Sequence, residues 1–132
     1  MIRPRGVEPS PGPVFELSPG ANGQWTEKVL YAFDSSDGAE PASGLIMDSN
    51  GNLYGNTNTG GANDLGTVFR LSPGASGKWK ETLYSFRAGN DGAGPTGNLI
   101  FDSAGNLCGT TFGGGNSAPS CNGCGTVYEI TP

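Results

Sequence analysis

Three stretches of the chain carry the same short alternation. Val14-Phe15-Glu16-Leu17, Val68-Phe69-Arg70-Leu71 and Val127-Tyr128-Glu129-Ile130 each set an aromatic and an aliphatic residue two apart, with a charged residue between them. Period two places the aromatic and the aliphatic residue on one face of a half-buried strand. In the first two stretches Ser-Pro-Gly follows and is expected to break the strand. The segments 26–33 and 80–86 repeat the alternation, with Tyr31 and Phe33, and Tyr84 and Phe86, on one face. Further strands are expected at 45–48 and 53–57, either side of Asn50-Gly51. Asn-Gly supplies the two positive-φ positions of a type I′ hairpin turn, and Ala104-Gly105 is a weaker form of it in the second copy. No segment sustains a helical period, so the chain is predicted to be all-β.

The alternations belong to a longer repeat. Val14 to Ala21 recurs as Val68 to Ala75, and Trp25 and Glu27 recur as Trp79 and Glu81 at the same offset of 54 residues. Leu30-Tyr31-Ala32-Phe33 answers to Leu83-Tyr84-Ser85-Phe86, Asp37-Gly38 to Asp91-Gly92, and Leu45 to Ser49 to Leu99 to Ser103. Gly51-Asn52-Leu53 matches Gly105-Asn106-Leu107, and a third copy begins at Val127 after an insertion that holds Cys121 and Cys124. The organisation read from this is a disordered Pro/Gly-rich lead over 1–13, repeat 1 over 14–67, repeat 2 over 68–126, and the first strand of a third repeat over 127–132.

Four short antiparallel strands in a unit of about 50 residues is the size and strand count of a propeller blade. If the Asn-Gly hairpin supplies the first two strands, one complete blade runs from Leu45 to Phe86. Residues 14–33 are then the last two strands of a preceding blade, and 99–130 the first three of a following one. The predicted architecture is about two repeats of propeller-like blades, an incomplete ring or one closed between copies. Open sheet edges, or neighbouring repeats of a longer chain, are the expected route to self-association.

The repeat resembles the GloVer tandem repeats of large bacterial proteins. The residues that carry the likeness are Gly44-Leu45-Ile46-Met47-Asp48-Ser49-Asn50-Gly51-Asn52-Leu53-Tyr54-Gly55, Gly60-Gly61, and Gly66-Thr67-Val68-Phe69-Arg70-Leu71. In the second copy they are Asp102-Ser103-Ala104-Gly105-Asn106-Leu107, Gly109-Thr110-Thr111, Gly113-Gly114-Gly115 and Gly125-Thr126-Val127-Tyr128. The Asp-x-x-Gly-Asn-Leu-Tyr hairpin also looks like that of NHL-type propeller blades. The resemblance implies an extracellular or cell-surface repeat architecture and no particular activity. Cys108 departs from it, standing where Tyr54 stands in the first copy.

Composition narrows the function classes. The chain carries 24 glycines and 10 prolines in 132 residues, but its periodicity separates it from low-complexity sequence. Seven Lys and Arg against twelve Asp and Glu leave a net charge of −5. That argues against nucleic acid, whose binding rests on phosphate neutralisation, and against anionic membrane surfaces. No apolar run reaches the length of a membrane span, and the first 13 residues do not read as a signal peptide.

The candidate chemistry is sparse. The chain has no histidine, which removes the commonest general base and every Ser-His-Asp or Cys-His arrangement. Asp37, Asp48, Asp91 and Asp102 could supply paired carboxylates for glycoside chemistry. Their recurrence at equivalent positions points instead to turns and hairpin ends. Asp48-x-Asn50-x-Asn52 opens like a calcium loop, but Leu53 and Asp64 fall where Gly and Glu are required. No metal and no cofactor is expected. Cys121 and Cys124 are expected to form a local disulfide, and Cys108 to pack in a strand as a small hydrophobe. Trp25 and Trp79 are expected to cover blade surfaces. With Asp37 and Asp91 they are also the ligand candidates, since an exposed aromatic in a repeat can stack on a sugar ring.

The sequence therefore predicts a non-catalytic β-repeat module, a scaffold or interaction surface. The alternatives are a carbohydrate-binding lectin with one site per repeat, and a fragment of a larger propeller hydrolase or lyase.

Overall fold

The computed structural model describes residues 11–74, 77–116 and 123–132, with the side chains of all of these except 77–80. Among the described residues nine strands form three antiparallel sheets. The first pairs β1 (Pro13–Pro19) with β2 (Trp25–Ala32). The second runs β3 (Ile46–Met47), β4 (Leu53–Thr57), β5 (Thr67–Gly74) and β6 (Gly77–Ser85) in chain order. The third runs β7 (Ala93–Phe101), β8 (Leu107–Gly113) and β9 (Val127–Ile130). Two, four and three strands is the count that the repeat phase predicts, and the chain is all-β with no closed barrel among the described residues.

The alternation decides which face each residue takes. Opposite residues in an antiparallel pair share a face, so the register fixes two faces per sheet. The front face carries Phe15 and Leu17 in the first sheet, Leu53, Phe69 and Leu71 in the second, and Leu107, Tyr128 and Ile130 in the third. The back face carries Val14 and Tyr31, then Ile46, Tyr54 and Val68, then Ile100, Cys108 and Val127. The back of each sheet packs on the front of the next. Val14 and Phe33 of the first repeat bury Phe69 and Leu71, with Leu53 packed against them. Tyr54, Val68 and Phe86 bury Leu99 and Leu107, with Tyr128 and Ile130 at their side. The core is thus two copies of one intersheet contact.

Gly55 and Gly109 let the aromatic ring of the neighbouring strand lie flat on its own sheet. Gly55 is opposite Phe69 and Gly109 opposite Tyr128. A Cβ on Gly55 would sit 2.7 Å from Phe69 Cζ, and one on Gly109 would meet the Tyr128 hydroxyl.

Four local expectations change. The hairpin at Asn50-Gly51 is not type I′: Gly51 has φ +81°, whereas Asn50 is not among the positive-φ residues. The Gly51 N–H donates to the Asp48 carbonyl at 3.1 Å and the Asp48 N–H to the Asn52 carbonyl at 3.0 Å. This is the longer hairpin loop, whose left-handed residue comes last. Gly105, at φ +86°, closes the second copy in the same way.

Ser-Pro-Gly does not end its strand, since β1 runs to Pro19 and β5 to Gly74. Pairing between β4 and β5 stops at Leu71, so Pro73 has a partner strand on one side only and its missing N–H costs no ladder bond. β7 begins at Ala93, before the expected Leu99, because Ala93 and Pro95 pair with Gly113 and Thr111 ahead of a register shift. Of the expected disordered lead, residues 1–10 lie outside the described residues. Pro11 and Gly12 are tied down, their carbonyls accepting from the N–H groups of Glu40 and Phe33.

Candidate functional site

Each repeated carboxylate holds a piece of the repeat's own backbone. Asp48 Oδ1 accepts from the Asn50 and Asn52 N–H groups at 2.8 and 2.9 Å, while Oδ2 accepts from the Asn52 side-chain amide at 2.7 Å and the Tyr54 hydroxyl at 3.0 Å. Asp102 repeats this with Ala104, Asn106 and the Asn106 amide at 2.8, 2.8 and 2.9 Å. These donors hold both carboxyls below the usual carboxylate range, led by the Asn52 amide at Asp48 and the Asn106 N–H at Asp102. The resemblance of Asp48-x-Asn50-x-Asn52 to a calcium loop therefore has a hydrogen-bonding cause, since the oxygens face donors.

Asp37 and Asp91 pin the loop that leads from one sheet to the next. Asp37 accepts from the Tyr31 hydroxyl and from the Asp34 N–H at 3.1 Å. Asp91 accepts from the Tyr84 hydroxyl and from the Arg87 N–H at 2.7 Å. Burial, then the Asp37 carboxylate, pushes Tyr31 up to about 12. The glycine after each Asp lies on a threonine pair of the following strands. Thr57 and Thr67 join through their hydroxyls at 2.9 Å, as do Thr111 and Thr126, and Gly38 and Gly92 stand directly over them. The Thr57 hydroxyl also donates to the Thr59 carbonyl and accepts from the Thr67 N–H. These bonds account for the recurrence of Asp-Gly and Gly-Thr-Val.

The tryptophan expectation needs correction. Trp25 does not cover a blade; it is 64% exposed. It lies opposite Pro19, on the front face that it shares with Phe15 and Leu17. No sheet packs on that face among the described residues, so the ring has nothing to cover. The side chain of Trp79 lies outside the described residues. Asp37 and Asp91 are committed to the tyrosines and backbone groups named above, and no described contact joins either to a tryptophan.

One grouping was not foreseen. Asp102, Cys108 and Glu129 bring a ligand-type atom each to within 4.8 Å of one another. Asp102 is the hairpin carboxylate, Cys108 lies on β8 and Glu129 opposite it on β9. Their counterparts in the preceding, four-stranded sheet are Asp48, Tyr54 and Arg70, where a cation stands beside the carboxylate. Tyr54 bonds Asp48, and Arg70 pairs with Glu81. The third sheet has a thiol and a carboxylate where the second has a phenol and a cation. Burial, then Glu129 and Asp102, raises the Cys108 thiol above its ordinary value, which works against the thiolate that a metal or a nucleophilic role requires. The donors to Asp102 favour its ionised form. The signal for this grouping was present in the sequence, as the Tyr54-to-Cys108 and Arg70-to-Glu129 exchanges at equivalent repeat positions.

Cys108 is free and Cys124 is disulfide-bonded; the expected partner, Cys121, lies outside the described residues. A groove of about 300 Å³ opens between the first two sheets, with Glu16, Lys28 and Ser72 at its polar wall and Leu30, Leu53 and Leu71 at its apolar one.

Residues 4–132, both copies and the start of the third, match the model of the Gloeobacter/Verrucomicrobia repeat. The chain belongs to this family. The Gloeobacter/Verrucomicrobia repeat accordingly consists, in this chain, of a four-strand sheet whose polar motif residues brace the loops and whose two faces are built to meet. No curated protein and no solved structure matches the chain.

Proposed function

We propose that this repeat chain is a non-catalytic stacking module, a scaffold or interaction surface of extracellular or cell-surface type. The observation that carries the reading is that the recurrent polar residues spend their polar atoms inside the fold. Asp48 and Asp102 are saturated by hairpin donors, Asp37 and Asp91 hold loops, and the threonine pairs hold the chain between sheets. What repeats is a device for stacking sheets. Propeller-like closure is the arrangement that a longer series of such sheets would favour, because their twist carries a stack around an axis. The disulfide at Cys124 supports an oxidising compartment.

The second reading, carbohydrate binding, draws on the exposed Trp25 ring. One experiment separates the two from each other and from catalysis. The chain is passed over immobilised glycans and incubated with chromogenic glycosides and esters, alongside Trp25→Ala and Asp102→Asn. No turnover and no retention lost on Trp25→Ala are expected. Glycan retention that vanishes in Trp25→Ala would establish the lectin reading, and turnover that vanishes in Asp102→Asn would overturn the non-catalytic one.

A further inference from the structure

Among the described residues, the front of β1–β2 and the back of β7–β8–β9 carry part of each half of the contact that the chain already makes twice inside itself, the front without a counterpart of Leu53 and Leu107 and the back without one of Phe33 and Phe86. At the front end, Phe15 and Leu17 are 48% and 51% exposed, whereas Phe69 and Leu71, at the same repeat positions, are 1% and 5% exposed under the back face of the first sheet. At the back end, Val127 is 83% exposed, while Val68 and Val14 at the same position are 0% and 5% exposed under the next sheet. Val29, opposite Phe15, and Trp25, opposite Pro19, extend the front patch. Ile100 and Phe112 extend the back patch. Phe112 stands where the first copy has Asn58, so the open face has gained a large apolar side chain.

We propose that a second copy of this chain docks at each end, the β7–β8–β9 back face of one copy covering the β1–β2 front face of the next. The proposal rests on the stacking role above and names its partner. Contiguous apolar patches of this kind mark interaction surfaces. Here the complementary surface is known, because it lies at the other end of the same molecule. The internal contacts give the expected pairing: Val127 and Ile100 would lie on Phe15 and Leu17, as Val68 and Ile46 lie among Leu99, Leu107 and Tyr128. Two different faces meet, so the contact is heterologous and runs head to tail. It ends as a ring if the rotation closes and as a filament if it does not.

The test is the mass of the full chain by sedimentation and light scattering across a concentration series, with Leu17→Asp on the front face and Val127→Asp on the back. The parent chain is expected to rise above the 13.4 kDa of one copy as concentration increases. Each variant alone should stay at the mass of one copy. An equimolar mixture should yield complexes of two chains and no larger, because each variant keeps one sound face. Circular dichroism checks that both variants fold; if either does not, Phe15→Asp or Ile100→Asp takes its place. A parent chain that stays at the mass of one copy up to its solubility limit would overturn the proposal. So would association that persists in both variants, which is the mark of pairing through the free edges of β1 and β9. Failure here leaves the glycan and substrate results untouched, and turnover there leaves the mass unchanged.

Discussion

The rings of Phe86 and Tyr128 meet edge to face, with centroids 5.1 Å apart and planes at 66°. One repeat earlier, Phe33 and Phe69 meet at the same distance and angle. Each pair joins the back of one sheet to the front of the next, and each is backed by a tyrosine 5.3 Å away, two residues earlier in the chain, Tyr84 or Tyr31. Two contacts that share their geometry follow from one repeated pattern of residues.

The first prediction concerns this pair. Phe86→Leu loses edge contacts to both Tyr84 and Tyr128 and should destabilise the chain by about 1–3 kcal/mol. Tyr128→Phe should stay within about 0.5 kcal/mol of the parent, since Phe69 fills the same place one repeat earlier. Among the described residues the buried Tyr128 hydroxyl and Asn56 Oδ1 have no hydrogen-bond partner of good geometry, so removing the hydroxyl gives up little. Urea unfolding of both variants checks the difference.

The hairpin geometry leaves Gly51 as the left-handed residue where the sequence predicted two. Asn50 is not left-handed, and Ala104 occupies the same place in the second copy, so Asn50→Ala should be close to neutral. Gly51→Ala forces a side chain into φ +81° and should cost about 1–2 kcal/mol. Thermal unfolding of the two variants should rank them in that order. Equal losses would remove the case for a left-handed residue at 51 alone.

Gly55→Ala tests the space beneath an aromatic ring. The new methyl would lie 2.7 Å from Phe69 Cζ and 2.9 Å from a Leu45 methyl, so the ring must move. Overpacking of this kind costs about 1–3 kcal/mol. Gly55 has no positive φ, so backbone strain does not contribute. Pairing the change with Phe69→Leu, which vacates the space, should recover part of the loss.

The pH dependence has two limbs. Asp48 and Asp102 are depressed in the folded chain below the ordinary 3.8. Their contribution is present above that value and is lost as pH falls through the lower folded one. Tyr31 and Tyr128 are raised from 10.0 to about 12. Their contribution is whole below pH 10.0 and is lost as pH rises toward about 12. Denaturant midpoints should therefore hold steady at neutral pH, falling below about pH 4 and above about pH 10. The phenolate absorbance should show a late-titrating class of tyrosines. Asp48→Asn should flatten the acid limb, and an unchanged limb in that variant would assign it elsewhere.

The strand count and its phase were legible because they depend on residues close in the chain. Period-two alternation marks a strand wherever it occurs, and the repeat of Val-Phe-x-Leu locates the sheet boundaries without any knowledge of packing. Family membership was legible for the same reason. The turn type was not, since Asn-Gly serves both a two-residue loop and a longer one whose last residue is left-handed. What decided it was the Asp48 carboxylate, which gathers four donors and so sets the loop length. The fate of Trp25 and the meeting of Asp102, Cys108 and Glu129 lay further still from the sequence. A side chain's burial depends on what faces its sheet, and cross-strand neighbours depend on register.

What the sequence by itself determined is the all-β class, the division into two, four and three strands, and the side of the strand on which each residue stands. The tertiary structure alone decided which side meets which. Alternation makes both faces of each sheet apolar in places, and only the packed chain reveals that Val68 looks forward to Leu107 while Phe69 looks back to Phe33. Burial is a property of pairs of surfaces, and a one-dimensional pattern specifies each surface without specifying its mate.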